Sequence, residues 1–169
     1  MKIAGAALIL SASLYTGLLH ARTKRQKISC LRDICGALLL MEGELDARLT
    51  PMPELICFLA EKTQGQVGAF FSSLSLSMVR LGEEDFASLW RTAMKQAVNF
   101  VGAPEMEELC CLGTVLGQYE LDKQLSAIRA CISVLRTSME AAQRKYQDDR
   151  RLIMGLPAAI GALLIIVLF

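Results

Sequence analysis

The sequence is poor in the residues that most enzymes depend on. It has one histidine, His20, so no Ser-His-Asp or Cys-His arrangement fits within the central region, although a Ser–Lys pair is compatible with its composition. No G-x-x-x-x-G-K-[ST] loop is present to cradle a phosphate. Its six cysteines form no C-x-x-C pair, and without histidine they give no four-ligand zinc set. Cys30, Cys35, Cys57, Cys110, Cys111 and Cys131 read instead as small core residues on apolar helical faces. With four prolines, and little strand-like alternation, long helices face few interruptions. No catalytic residue, cofactor, metal or small-molecule substrate is expected.

Charge of either sign is missing from both ends. Residues Ile3 to Leu19 carry none, and neither do Leu152 to Phe169. A bilayer core of roughly 30 Å is crossed by about 17–25 apolar helical residues, and both runs reach the lower part of that range. A cleaved signal peptide is the rival for the first run, but no convincing small-x-small cleavage site follows it. Basic residues collect on the inner side of each run: Arg22, Lys24, Arg25, Lys27 and Arg32 after the first, Arg144, Lys145, Arg150 and Arg151 before the second. By the positive-inside rule the middle of the chain is cytoplasmic and both termini lie outside. The expected organisation is therefore an N-terminal transmembrane segment (1–21), a cytoplasmic domain (22–151) and a C-terminal transmembrane segment (152–169). The domain is otherwise balanced, with 17 acidic residues against all the bases except Lys2, and it lacks the basic stripe of a nucleic-acid binder. The flanking bases could meet anionic lipid, although the topology rule alone accounts for them.

Between the anchors the periodicity predicts an all-α bundle of about six helices. Ile28, Leu31, Cys35, Leu38, Leu45 and Leu49 form a heptad seam interrupted by Glu42. Thr50-Pro51 is expected to end that helix and start the next, with Thr50 as N-cap and Pro51 in the first turn. Leu55, Phe58 and Leu59 mark a second helix over about 51–64. Phe70, Phe71, Leu74, Met78 and Leu81 mark a third over about 67–80. Phe86, Leu89, Trp90, Ala93, Met94 and Ala97 form the stripe of a fourth, and Pro104 opens a fifth. Acids at 83–85 and at 105, 107 and 108 suit helix starts better than a metal. Trp90 fits the core better than an interface. Leu121, Leu125, Ile128, Ile132, Leu135, Met139, Ala142 and Tyr146 keep a four-three rhythm, so the last helix is expected to run into the membrane segment and to pair antiparallel with the first.

The stretch Leu116-Gly117-Gln118-Tyr119-Glu120-Leu121-Asp122-Lys123-Gln124-Leu125-Ser126-Ala127-Ile128 resembles the L-G-x-x-D-x-x-x-Q-x-x-x-I pattern of the stage III sporulation protein AB family, with the aspartate falling later, at Asp122. The basic exit Arg22-Thr23-Lys24-Arg25, the Leu49-Thr50-Pro51-Met52 break and the terminal G-x-P-apolar segment add to that resemblance, which covers nearly the whole chain. It implies a non-enzymatic subunit of the sporulation channel linking mother cell and forespore, set in the outer forespore membrane and facing the mother-cell cytoplasm. The family's domain is similar to that of the type II secretion inner-membrane platform protein F, an analogy of fold. The partners so implied are a stage III sporulation protein AA-like ATPase and other channel subunits, with homo-oligomerisation left open. Asp122 and Gln124, at the head of the last helix, are candidate partner contacts, and capping is the simpler role for Asp122. The alternative function is an unrelated membrane-hairpin scaffold with a lipid- or protein-binding helical domain. A membrane enzyme would need polar groups converging in a pocket.

Overall fold

The computed structural model describes the backbone of residues 2–118 and 120–168, and side chains over 25–118 and 120–147. The two candidate membrane spans, with Arg22, Lys24, Arg150 and Arg151, lie outside the described side chains. Among the described residues no helix is long and apolar enough to cross a membrane, and there is no strand. Six α-helices follow one another: α1 Lys2–Arg48, α2 Met52–Lys62, α3 Gly65–Ser77 with a 3-10 turn at Met78–Arg80, α4 Phe86–Ala97, α5 Ala103–Leu116 and α6 Leu121–Leu168. Helices α1 and α6, of 47 and 48 residues, are each unbroken; at 1.5 Å per residue each is about 70 Å long.

The chain divides into two compact units, one of Met1–Ile28 with Glu140–Phe169 and the other Ser29–Met139. In the first, the Arg25 guanidinium donates from Nε to Tyr146 Oη at 2.6 Å and lies 5.5 Å from that ring's centroid, a cation–π contact. The second unit is the helical bundle. Within it α1 and α6 run antiparallel: Glu42 pairs with Arg129, while Cys35, earlier in α1, faces Arg136, later in α6. Helix α2 packs on α3, α3 on α4 and α4 on α5.

The seams explain the core. Leu31, Ile34, Cys35, Leu38, Met41 and Leu45 of α1 are buried, as are Leu125, Ile128, Cys131, Ile132 and Leu135 of α6. Glu42 does not interrupt the α1 seam. Met41, fully buried, takes the step from Leu38 to Leu45, and Glu42 turns aside so that its Oε1 accepts from Arg129 Nε at 2.6 Å. Leu49 leaves the seam because α1 ends at Arg48. There the backbone turns left-handed at Leu49, φ 53°, and its side chain is 66% exposed.

The helix starts also differ from the pattern. Pro51, extended at φ −58° and ψ 144°, is the N-cap of α2, and the first-turn proline is Pro53. Thr50 therefore caps nothing; the Pro51 carbonyl accepts from Leu55 N–H at 2.9 Å. Gly65 opens α3 instead of ending α2, at φ +63°, a conformation that suits glycine. Helix α3 stops at Ser77, and the tighter 3-10 turn beyond it shifts the register. Leu81, expected on the apolar stripe, is 46% exposed as a result.

Trp90 is the centre of the bundle and is wholly buried. Its indole Nε1–H donates to the Leu109 carbonyl at 2.7 Å, which satisfies the one polar group the ring brings inside. Phe70 meets it edge-on at 4.8 Å and 83°, and Phe71 at 6.3 Å and 76°. Gly113 makes this packing fit, because a Cβ there would overlap the indole ring.

Candidate functional site

Four of the six cysteines are buried, and Cys57 and Cys111 are exposed. Burial, with Asp33 nearby, pushes the Cys30 thiol up to about 11. Burial, with Glu108 as the next contributor, pushes Cys131 up to about 12. Cys35 is also raised by burial, partly offset by Arg136. A thiol held neutral is a poor nucleophile and a poor metal ligand. Among the described residues no three His, Cys, Asp or Glu side chains gather as a metal site. Glu105, in the first turn of α5, is buried, where the helix N-terminus favours a carboxylate.

The concave surface lies elsewhere, at one end of the bundle. Because α1 and α6 are antiparallel, Arg48 and Leu121 meet at the end opposite Ser29 and Met139. Every other connection that opens there adds to the same place: the α1–α2 turn, the 3-10 turn with the loop before α4, and the α5–α6 turn. Together they enclose an open groove of about 840 Å³, lined by Leu45, Leu49, Met52, Met78, Leu81 and Phe86 among others, with Glu83, Glu84 and Asp85 on its wall. Glu84 is held by Arg80 Nη1 at 2.8 Å. Asp85 is the N-cap residue of α4, yet its side chain makes no cap hydrogen bond; its backbone carbonyl accepts from Ser88 and Leu89 N–H. Among the described residues no cation pairs with Glu83 or Asp85.

The two candidate contacts on α6 differ in kind. Gln124 also lines the groove, but its side chain is buried and its amide Nε2 donates to the Gln118 carbonyl, tying the α5–α6 turn to the head of α6. Asp122 is exposed in the first turn of α6, favoured there by the helix dipole, and its carbonyl accepts from Ser126 Oγ at 2.6 Å. Of the basic flank, Arg25 is engaged with Tyr146, Arg144 lies 3.8 Å from Glu140, Lys145 is exposed and Lys27 half-buried. The groove itself escaped the sequence reading. The signal nearest to it is Leu81, which stands just before the acidic run 83–85 and is 46% exposed.

Comparison with known proteins bears on what such a bundle is for. Stage III sporulation protein AB of Bacillus subtilis (strain 168) is 24% identical over 170 residues, covering 99% of this chain and 99% of that protein. A solved structure of a stage III sporulation protein AB, 21% identical, superposes with a TM-score of 0.65 and covers 72% of this chain and 97% of that one; at that identity the likeness speaks for the fold. The family model of stage III sporulation protein AB matches residues 2–169. With a fold and a full-length match that agree, this chain belongs to the stage III sporulation protein AB family, and its role lies in sporulation.

Proposed function

We propose that the chain is a non-enzymatic, two-pass membrane platform subunit of the sporulation channel, presenting its bundle to the mother-cell cytoplasm as a dock for a secretion-type ATPase. The observation that carries this reading is the unbroken course of α1 and α6, each of which contains one of the uncharged terminal runs and also one of the two seams of the bundle core. So read, each helix carries its apolar run and its seam as one element, which suits a part that positions others. In this reading residues 1–21 and 152–169 span the outer forespore membrane. Arg22, Lys24, Arg25 and Lys27, with Arg144, Lys145, Arg150 and Arg151, hold the orientation and lie beside anionic headgroups. Asp122, exposed at the head of α6, and Gln124, through the turn it fixes, belong to the face offered to partners.

Reporter fusions test the topology. A reporter active only in the cytoplasm, placed after Leu81, gives signal, and the same reporter after Phe169 gives none. The reverse pattern would overturn the orientation. Docking is tested by capture of the purified stage III sporulation protein AA-like ATPase on the full chain in lipid nanodiscs.

A further inference from the structure

The groove at the Arg48–Leu121 end combines two surface properties that are costly to keep in water together. Leu49 and Leu81, both substantially exposed, line it together with Leu45, Met52, Met78 and Phe86. Single exposed apolar side chains are ordinary, but several converging on one concavity mark an interaction site. Beside them Glu83 and Asp85 point no charge at any cation among the described residues, and Asp85 leaves its helix uncapped by its side chain. The charge of this end extends further, since Glu120 and Asp122 stand beside the α5–α6 turn with only Lys123 against them. The adjoining ends of α1 and α2 add Glu44, Asp46 and Glu54 against Arg48 and, near Asp46, Arg129.

This balance selects among occupants. A second copy of the chain seating the same end would bring the same acids face to face. An anionic lipid surface would be repelled. What fits is a segment with an apolar face to cover the leucines and lysines or arginines to meet the carboxylates. We infer that the groove between the α1–α2 turn, the Met78–Asp85 segment and the α5–α6 turn is the seat of a basic, apolar-faced segment of a cytoplasmic protein partner. This rests on the platform reading and adds to it the place and the chemistry of docking. The apolar rim supplies most of the affinity, as buried anchors do at interfaces. The acids supply orientation and speed of encounter, so binding weakens as salt rises.

The test uses the full chain in nanodiscs and the purified ATPase as probe, with binding kinetics followed at several salt concentrations. Leu81→Ser weakens binding about tenfold, mainly by faster dissociation. Glu83→Lys slows association and flattens the salt dependence. Val134→Ser, at an exposed site on α6 away from the groove, changes nothing. Unaltered thermal melts for all three variants keep the comparison free of misfolding. Carbodiimide, which joins a carboxylate to an amine without a spacer, links the peptide Leu81–Arg91 to a lysine of the ATPase. Wild-type binding with undiminished affinity in the Leu81→Ser variant would overturn the groove assignment and leave the platform reading standing. So would cross-links confined to Glu107 and Glu108, or made only to a lysine of a second copy. Absence of wild-type binding would overturn the docking reading and this inference with it.

Discussion

Gly113 and Trp90 show how single atoms set the terms of the core. On an open helix, replacing glycine by alanine stabilises by about 1 kcal/mol. Here the new Cβ would enter the indole ring, and the ring is held by its bond to Leu109 and by the Phe70 edge. The clash wins. Gly113→Ala is expected to destabilise the bundle by about 1–3 kcal/mol, read as a lower denaturant midpoint in detergent, while the same change at Gly43, whose Cβ would meet nothing, leaves it level or higher. The cysteines divide in the same residue-by-residue way. Cys57 and Cys111 react with a water-soluble disulfide reagent in the native protein, and the four buried thiols react only on unfolding, as peptide mapping of the labelled chain will show. The buried thiols also set a pH trend. Below the ordinary thiol range both folded and unfolded chains hold the proton; above it the unfolded chain releases the Cys131 proton, and the folded chain keeps it up to about pH 12. Stability therefore falls as pH rises through that window. Cys131→Ala shrinks the drop in unfolding midpoint between pH 8 and pH 10.5.

Among the elements, the α1–α2 turn carries a clear cost. Leu49 adopts a left-handed conformation that its Cβ disfavours by roughly 1–2 kcal/mol, and the turn needs it because α1 must stop and reverse before Pro51. Leu49→Gly relieves the strain but adds freedom to the unfolded chain, for an expected net gain of about 0.5–1 kcal/mol in thermal unfolding. The same substitution removes part of the apolar rim, so it separates stability from partner binding. This element also shows what periodicity reveals and what it hides. The stripes of α4 and α6 were legible because every step of three or four lands on the same side of a regular helix. Glu42 misled because the pattern offers two adjacent positions at that step, and only packing decides that Met41 turns inward. Leu81 misled because a 3-10 turn eclipses residues three apart, and composition does not announce where an α-helix tightens. The groove was the least legible feature, since its walls come from three connections distant in the chain and only the fold assembles them.

At the scale of the whole molecule, α6 is the element on which the reading depends most. It runs from Leu121 to Leu168 without a break, and among the described residues its last fully buried core residue is Leu135, with Met139 half-buried against the core. Gln143→Pro, beyond those residues, removes a helix hydrogen bond and costs about 3 kcal/mol locally. The bundle is expected to melt as before, while sporulation of a strain carrying the variant fails if the platform depends on an unbroken helix. Normal sporulation with a proline at that position would count against the platform role.

Glu42 and Arg129 are 87 residues apart in sequence yet joined at 2.6 Å. The helix made first thus waits for the helix made last. At ribosomal rates of roughly 5–20 residues per second, the part of the apolar side of α1 that faces α6 stands open for on the order of ten seconds before α6 arrives to close it. The molecule is vulnerable during its own birth, and the moment of greatest exposure comes while its leading end is already committed to the bilayer in our reading. Truncated products that stop before residue 121 would keep that open face for good, which makes them natural targets for chaperones and proteases.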